Sequence, residues 1–472
     1  MVFATLRGVY GILPDRHRGN GTKTIRGNAM IRLSARRASM FAGASLLALA
    51  LTTFARDVRA EDAPKLPSAA QTDPVANSVM QGFPPPADKT VRFNDGSSGK
   101  FPGTRWAFSH IRELGPTANV WRGEGPVAQL PRAERDLDKI PVTTLDGERI
   151  TFGDMPALTY ADGLLVLHKG KIIYEKYFGA GDAYRPHIAF SVTKSFVGML
   201  AATLAAQGKL DPEALVVKYV PELKDSAYGD ATVRQVMDMT IGVKYSENYT
   251  DPKAEVFDYA RAGGMVPQPP GYTGPKTFFE FLVTLQKEGE HDAAFAYKTS
   301  NAEVLAWIVK RASGQSMADL LSQQIWQKLG AENDAYFMVD SIGTESGGGG
   351  LNTTLRDLAR FGEVIRNKGR FNGQQIVPAE AVADIVKGGD KEKFAKAGYK
   401  TLHGWSYRDM WWQTRNENGA FEARGIYGQA IYIDPKAEMV IVRYASHPYA
   451  ANAVNDPVTL PAFAAVAKEL MK

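Results

Sequence analysis

The chain has 472 residues, 44% of them hydrophobic and 23% charged, which suits a folded globular protein with room for two structural units. Its formal charge of +5 comes from the first 60 residues, where ten Lys/Arg face only Asp15 and Asp57; from Glu61 onward 46 bases face 49 acids, which excludes a basic face for nucleic acid. Cysteine is missing, so disulfides and thiol chemistry are excluded, and covalent catalysis falls to oxygen or nitrogen groups.

In chain order, Met30 to Arg37 is basic, Phe41 to Ala55 is a short apolar run, and Val58-Arg59-Ala60 offers a small-x-small cleavage site. That pattern reads as a secretory signal whose start is displaced inward, too short for a membrane span, with a lone membrane anchor as the alternative. Residues 1–60 are therefore expected to be a targeting segment, residues 1–29 an over-long gene start, and the mature protein periplasmic or secreted with no membrane span after cleavage. Residues 61–130, rich in Pro and Gly at first (Phe83-Pro84-Pro85-Pro86, Asp95-Gly96), read as an extended leader packed on the domain, with a short helix over Trp106 to Leu114.

Residues 131–472 read as the main domain. Leu164 to Phe178 predicts two strands around a Lys169-Gly170 turn, and the segment from about 190 to 340 is mostly helical. Ser346 to Gly350 is a glycine run without the Gly-Lys-Ser/Thr of a phosphate loop, and Leu355 to Asn367 is a periodic helix. Gly404 to Trp412, Gly425 to Ile433 and Met439 to Tyr444 read as strands, with a closing helix from Leu460 to Met471. Strands at both ends with helices between predict one sheet with an α-helical insertion. His168 and His187 read as strand-end residues, and the seven histidines show no metal-ligand spacing.

The chemistry is concentrated at Phe190-Ser191-Val192-Thr193-Lys194, followed by the helix-forming run Val197 to Ala206 and a Gln207-Gly208 stop. With a helix starting near Ser191, the i,i+3 spacing puts hydroxyl and ammonium on one face. The unpaired N–H groups of the first turn would suit a developing oxyanion, and a desolvated lysine can take a serine proton. The same pattern recurs at Ser97-Ser98-Gly99-Lys100, but in a loop where no helix is expected.

Two further boxes follow: Tyr297-Lys298-Thr299-Ser300-Asn301 before a helical run, and Arg424-Gly425-Ile426-Tyr427-Gly428 leading into a strand. Their order resembles the serine β-lactamase and penicillin-binding-protein superfamily, in its class C-like, esterase and 6-aminohexanoate-dimer hydrolase branch, from roughly Ile150 to Lys472. The resemblance implies an α/β sandwich, an antiparallel sheet flanked by helices, with an inserted all-α subdomain and the site between the two parts. It implies Ser191 as nucleophile, Lys194 as its proton partner and Tyr297 as a phenol that shuttles the proton to the leaving group, helped by the nearby lysine. The backbone N–H groups of Ser191 and Ile426 would form the oxyanion hole, and Gly425 would let substrate approach. Tyr249, Thr299 and Asn301 are candidate substrate contacts, and Trp411 a candidate pocket wall. Two departures stand out. Thr299 replaces the usual Ser or Asn of the second box, and Ala423-Arg424-Gly425 lacks the usual cation of the third.

The expectation is an exported serine hydrolase of amide or ester bonds, with an amide of the 6-aminohexanoate-oligomer type favoured. A carboxylesterase or weak β-lactamase/DD-peptidase is the alternative, and a penicillin-binding module without turnover is the rival of another class. No cofactor or metal is expected. The partner is a small amide or ester, with a homodimer left open.

Overall fold

Residues Leu66–Lys472 are described by the computed structural model, and the targeting segment expected at residues 1–60 lies outside them. In chain order the strand Thr117–Val120 (β1) precedes a hairpin of Ala161–His168 (β2) and Lys171–Tyr177 (β3), and the two-residue strand His187–Ile188 (β4) runs into the helix Val192–Ala206 (α1). Thr299–Ser313 (α2), Ala335–Met338 (β5), Leu351–Thr353 (β6) and Leu355–Arg366 (α3) follow. The chain ends with Ser406–Arg408 (β7), Trp411–Gln413 (β8), Phe421–Gly425 (β9), Gln429–Asp434 (β10), Met439–Ala445 (β11) and the helix Asp456–Leu470 (α4).

Seven strands pair antiparallel in the order β7-β8-β9-β10-β11-β2-β3. The two ends of the chain meet where β11 pairs with β2, with Ile441 opposite Val166. The reason β2 is apolar without alternation is that both of its faces are covered. Leu164 and Val166 point into a core with Phe463 and Val466 of α4, whereas Leu165 and Leu167 join the larger core with Phe196 of α1 and Phe361 of α3. The sheet is thus the middle layer of a sandwich, and α1 lies buried on its inner side.

A second sheet, β1-β5-β6-β4, assembles from four pieces distant in sequence. Its pieces run only two to four residues, too short for the apolar alternation that marked the main sheet. Three other expectations need correction. Gly404 to Trp412 is a hairpin, not one strand: Asp409 and Met410 both take positive φ, the mirror-image turn that suits a two-residue connection. The closing helix starts at Asp456, with Pro457 in its first turn, where a missing N–H is no loss. The leader from Leu66 is not extended but folded into turns and the single-turn helix Thr104–Ala107, and it belongs to the same compact unit as the rest. Among the described residues no helix is long and apolar enough to cross a membrane.

What fixes α1 is the hairpin turn. Ser195 Oγ donates to the Met410 carbonyl at 2.7 Å, and Trp411 Nε1 donates to the Ser195 carbonyl at 3.2 Å. At Gly198 the helix comes so close that an added Cβ would stand 2.1 Å from the Asp409 carbonyl oxygen. Replacing Gly198 by alanine should therefore cost about 1–3 kcal/mol of stability through overpacking, despite alanine's better helix propensity. Urea unfolding checks this, and an unchanged or raised midpoint would show that the helix and the turn are not locked together.

Candidate active site

Ser191 caps the start of α1, where its carbonyl accepts the Lys194 N–H at 3.1 Å and its side chain stays 8% exposed. The residue before it, Phe190, has φ +44°, a left-handed conformation rare for an aromatic residue, which turns the chain sharply from β4 into the helix. One turn on, the Lys194 side chain is only 1% exposed. Its Nζ lies 2.8 Å from Ser191 Oγ and 2.6 Å from the Gly348 carbonyl oxygen. Burial without a paired carboxylate disfavours the ammonium and pulls its pKa down to about 8, with Glu247 and Glu303 opposing the fall.

Gly348 is held in place from below. Glu303, buried on α2, accepts the N–H groups of Gly347 at 3.0 Å and Gly348 at 2.7 Å, the Tyr259 hydroxyl at 2.7 Å and the Ser346 hydroxyl at 3.0 Å. Burial raises its carboxyl pKa while these donors oppose the rise. The glycine run is thus a steric requirement rather than a phosphate loop. A Cβ on Gly347 would stand 2.5 Å from Ala306 Cβ, and one on Gly348 would stand 2.5 Å from Thr299 Cγ2.

Tyr297 precedes α2 and packs its ring on Trp412, centroids 5.2 Å apart, with Lys194 Nζ 5.1 Å from its own centroid. Burial and then Glu247 push its pKa well above 10, while the Ser191 hydroxyl opposes the rise. The Lys194 amine stands over the face of this ring, and burial keeps the hydroxyl protonated.

The other expected residues divide. Tyr249, Thr299 and Ile426 line a cavity of about 280 Å³ that opens over Ser191. Asn301 does not; it is fully buried and accepts from the Tyr228 hydroxyl at 3.0 Å. Trp411 is not a pocket wall either, being 0% exposed and ringed by Phe361 and Phe421 in the core. Strand alternation turns its neighbour Trp412 toward Tyr297 instead. Gly425 is small for a different reason than expected, since a Cβ there would meet the Ala189 carbonyl oxygen at 2.6 Å. The strand thereby reaches the serine turn and brings the Ile426 backbone beside it. Arg424 faces away, its guanidinium paired with Asp456 and lying 3.1 Å from Glu422. In the second Ser-x-x-Lys copy, Ser97 Oγ bonds the Arg92 backbone, so no lysine is engaged.

Two acids escaped notice in the sequence. Glu247, two residues before Tyr249, accepts the Thr299 N–H at the start of α2 and is the nearest compensation for Lys194. Glu303 is a lone acid inside the apolar run Ala302–Val309, and that misfit was its only signal.

A family model described as Beta-lactamase matches residues 159–462. The chain is 36% identical over 352 residues to the 6-aminohexanoate-dimer hydrolase of Paenarthrobacter ureafaciens, covering 74% of this chain and 86% of that one. A solved structure from Bacillus anthracis, provisionally named a 6-aminohexanoate-dimer hydrolase, superposes with a TM-score of 0.75 at 31% identity, covering 82% of this chain and 98% of that one.

If the lysine is the proton acceptor, acylation of Ser191 by a fluorophosphonate should rise about tenfold per pH unit below a midpoint near 8 and level off above it, because only the neutral amine accepts a proton. Glu247→Gln removes a charge that favours the ammonium and should move the midpoint lower. A pH-independent rate would take the role from Lys194.

Proposed function

The chain belongs to the beta-lactamase family, and on that premise we propose that it is an exported serine hydrolase that cleaves amide bonds through an acyl-enzyme on Ser191. The observation that carries the reading is the buried amine of Lys194, 2.8 Å from the Ser191 hydroxyl and held there by the Gly348 carbonyl. Neutral Lys194 takes the hydroxyl proton as Ser191 Oγ attacks the substrate carbonyl. The backbone N–H groups of Ser191 and Ile426 receive the oxyanion. Tyr297, protonated, gives its proton to the leaving amine and regains one from the Lys194 ammonium. Water then attacks the acyl ester, its proton returning through the same groups, and free Ser191 is restored.

The hydrolase relatives favour an amide of the 6-aminohexanoate-oligomer type, with Tyr249, which lines the cavity over Ser191, as a substrate contact. Esters make the same acyl-enzyme with a better leaving group and are the second substrate class. A β-lactam is disfavoured because the one cation of the third box, Arg424, is committed to Asp456 and Glu422 and offers nothing to a substrate carboxylate. The pattern of residues 30–60 supports export.

Ser191→Ala should abolish both turnover and labelling by a fluorophosphonate, whereas Lys194→Ala and Tyr297→Phe should each slow acylation by about 10²–10⁴-fold. Labelling that survives in Ser191→Ala would move the nucleophile elsewhere. A single burst of one equivalent in the unaltered protein, with no steady rate after it, would make it a binding module instead.

A further inference from the structure

The cavity over Ser191 has a wall that the main domain does not supply. Phe93, Phe108 and Leu114 come from the leader, ahead of the residues matched by the family model, and they face Met265, Met338 and Tyr427. Phe108 packs edge-on against Phe190 at 4.8 Å and tilted against Tyr427 at 5.0 Å, so the leader is locked to both backbone turns that flank the reacting centre. Among the described residues lining this cavity there is no Lys, Arg, His, Asp or Glu. Lys194 and Glu247 do not line it. Tyr297, which would protonate the leaving group, does not line it, which leaves this space to the acyl half of the substrate.

We propose that the leader-walled cavity is an acyl-binding subsite that selects an uncharged, apolar acyl chain and rejects one ending in a free ammonium or carboxylate. The proposal rests on Ser191 being the nucleophile. A charge placed there would give up hydration with no opposite charge among the lining residues to replace it, and that cost exceeds the gain from burying methylenes. Within the amide reading this has a consequence. A linear dimer of 6-aminohexanoate would bring its ammonium into the apolar space. An amide whose acyl chain is capped, or continues into a further amide, would not.

Three p-nitrophenyl esters with one leaving group test this: hexanoate, 6-aminohexanoate and monoadipate. The hexanoate should show kcat/KM at least about 50-fold above either charged ester, since burying a charge without a partner opposes binding in the transition state as well. Met338→Glu puts an acid into the wall and should narrow the gap for the 6-aminohexanoate ester alone by about tenfold or more, with fluorophosphonate labelling of Ser191 retained as the check on folding. If the unaltered protein hydrolyses all three at similar kcat/KM, or prefers a charged one, and Ser191→Ala is inactive, the subsite proposal is overturned while the hydrolase reading stands. If none is hydrolysed, or Ser191→Ala is as active as the unaltered protein, the hydrolase reading is lost and the subsite proposal with it.

Discussion

The site depends on keeping one lysine dry. A primary amine in water holds its proton far above neutrality, and only loss of hydration brings it within reach of serving as a base. Around Lys194 that desolvation is made tolerable by two oxygen partners, Ser191 Oγ and the Gly348 carbonyl, and by two carboxylates set at a distance, Glu247 and Glu303. A carboxylate in direct contact would fix the ammonium, and none at all would leave the buried charge too costly to populate in the catalytic cycle. The arrangement lies between these limits.

Much of the surrounding structure can be read as support for that balance. Glu303 spends its hydrogen bonds on the backbone of the glycine run, which aims one carbonyl at the lysine. The hairpin turn at Asp409 and Met410 grips α1 from the other side, so the serine at its start cannot shift without dragging the sheet edge with it. Gly425 lets the strand β9 close on the serine turn, so the Ile426 backbone follows from main-chain packing rather than from side-chain identity. Strain is accepted at Phe190 and Tyr427, both at positive φ, and their rings meet at 5.2 Å beside Phe108. The aromatic contact stabilises two turns that the backbone alone disfavours.

The leader lines part of the cavity over Ser191 with apolar side chains, whereas Ser191, Lys194 and Tyr297 all lie in the main domain. In the proposed reading, reactivity and selectivity are carried by different parts of the chain. The first is bound tightly to helix and sheet geometry, and the second rests on turns that tolerate substitution more readily.

By itself the sequence determined the strands with strong apolar patterning, the long helices, and the pairing of Ser191 with Lys194 on one helical turn, because periodicity and i,i+3 spacing are local properties. The hairpin at residues 164 to 177, the helix after Ser191 and the helix from Leu355 were all legible in that way. Only the tertiary structure decided the rest. Which face of β8 meets Tyr297 depended on strand register, so Trp412 and not Trp411 stands there. Whether Asn301 looked into the cavity or toward Tyr228 depended on how α2 rotated in its packing. The charge state of Tyr297 followed from burial, which no spacing rule reports. Glu247, Glu303 and the leader's Phe93 and Phe108 act on groups far away along the chain, and such contacts exist only once the chain has closed on itself.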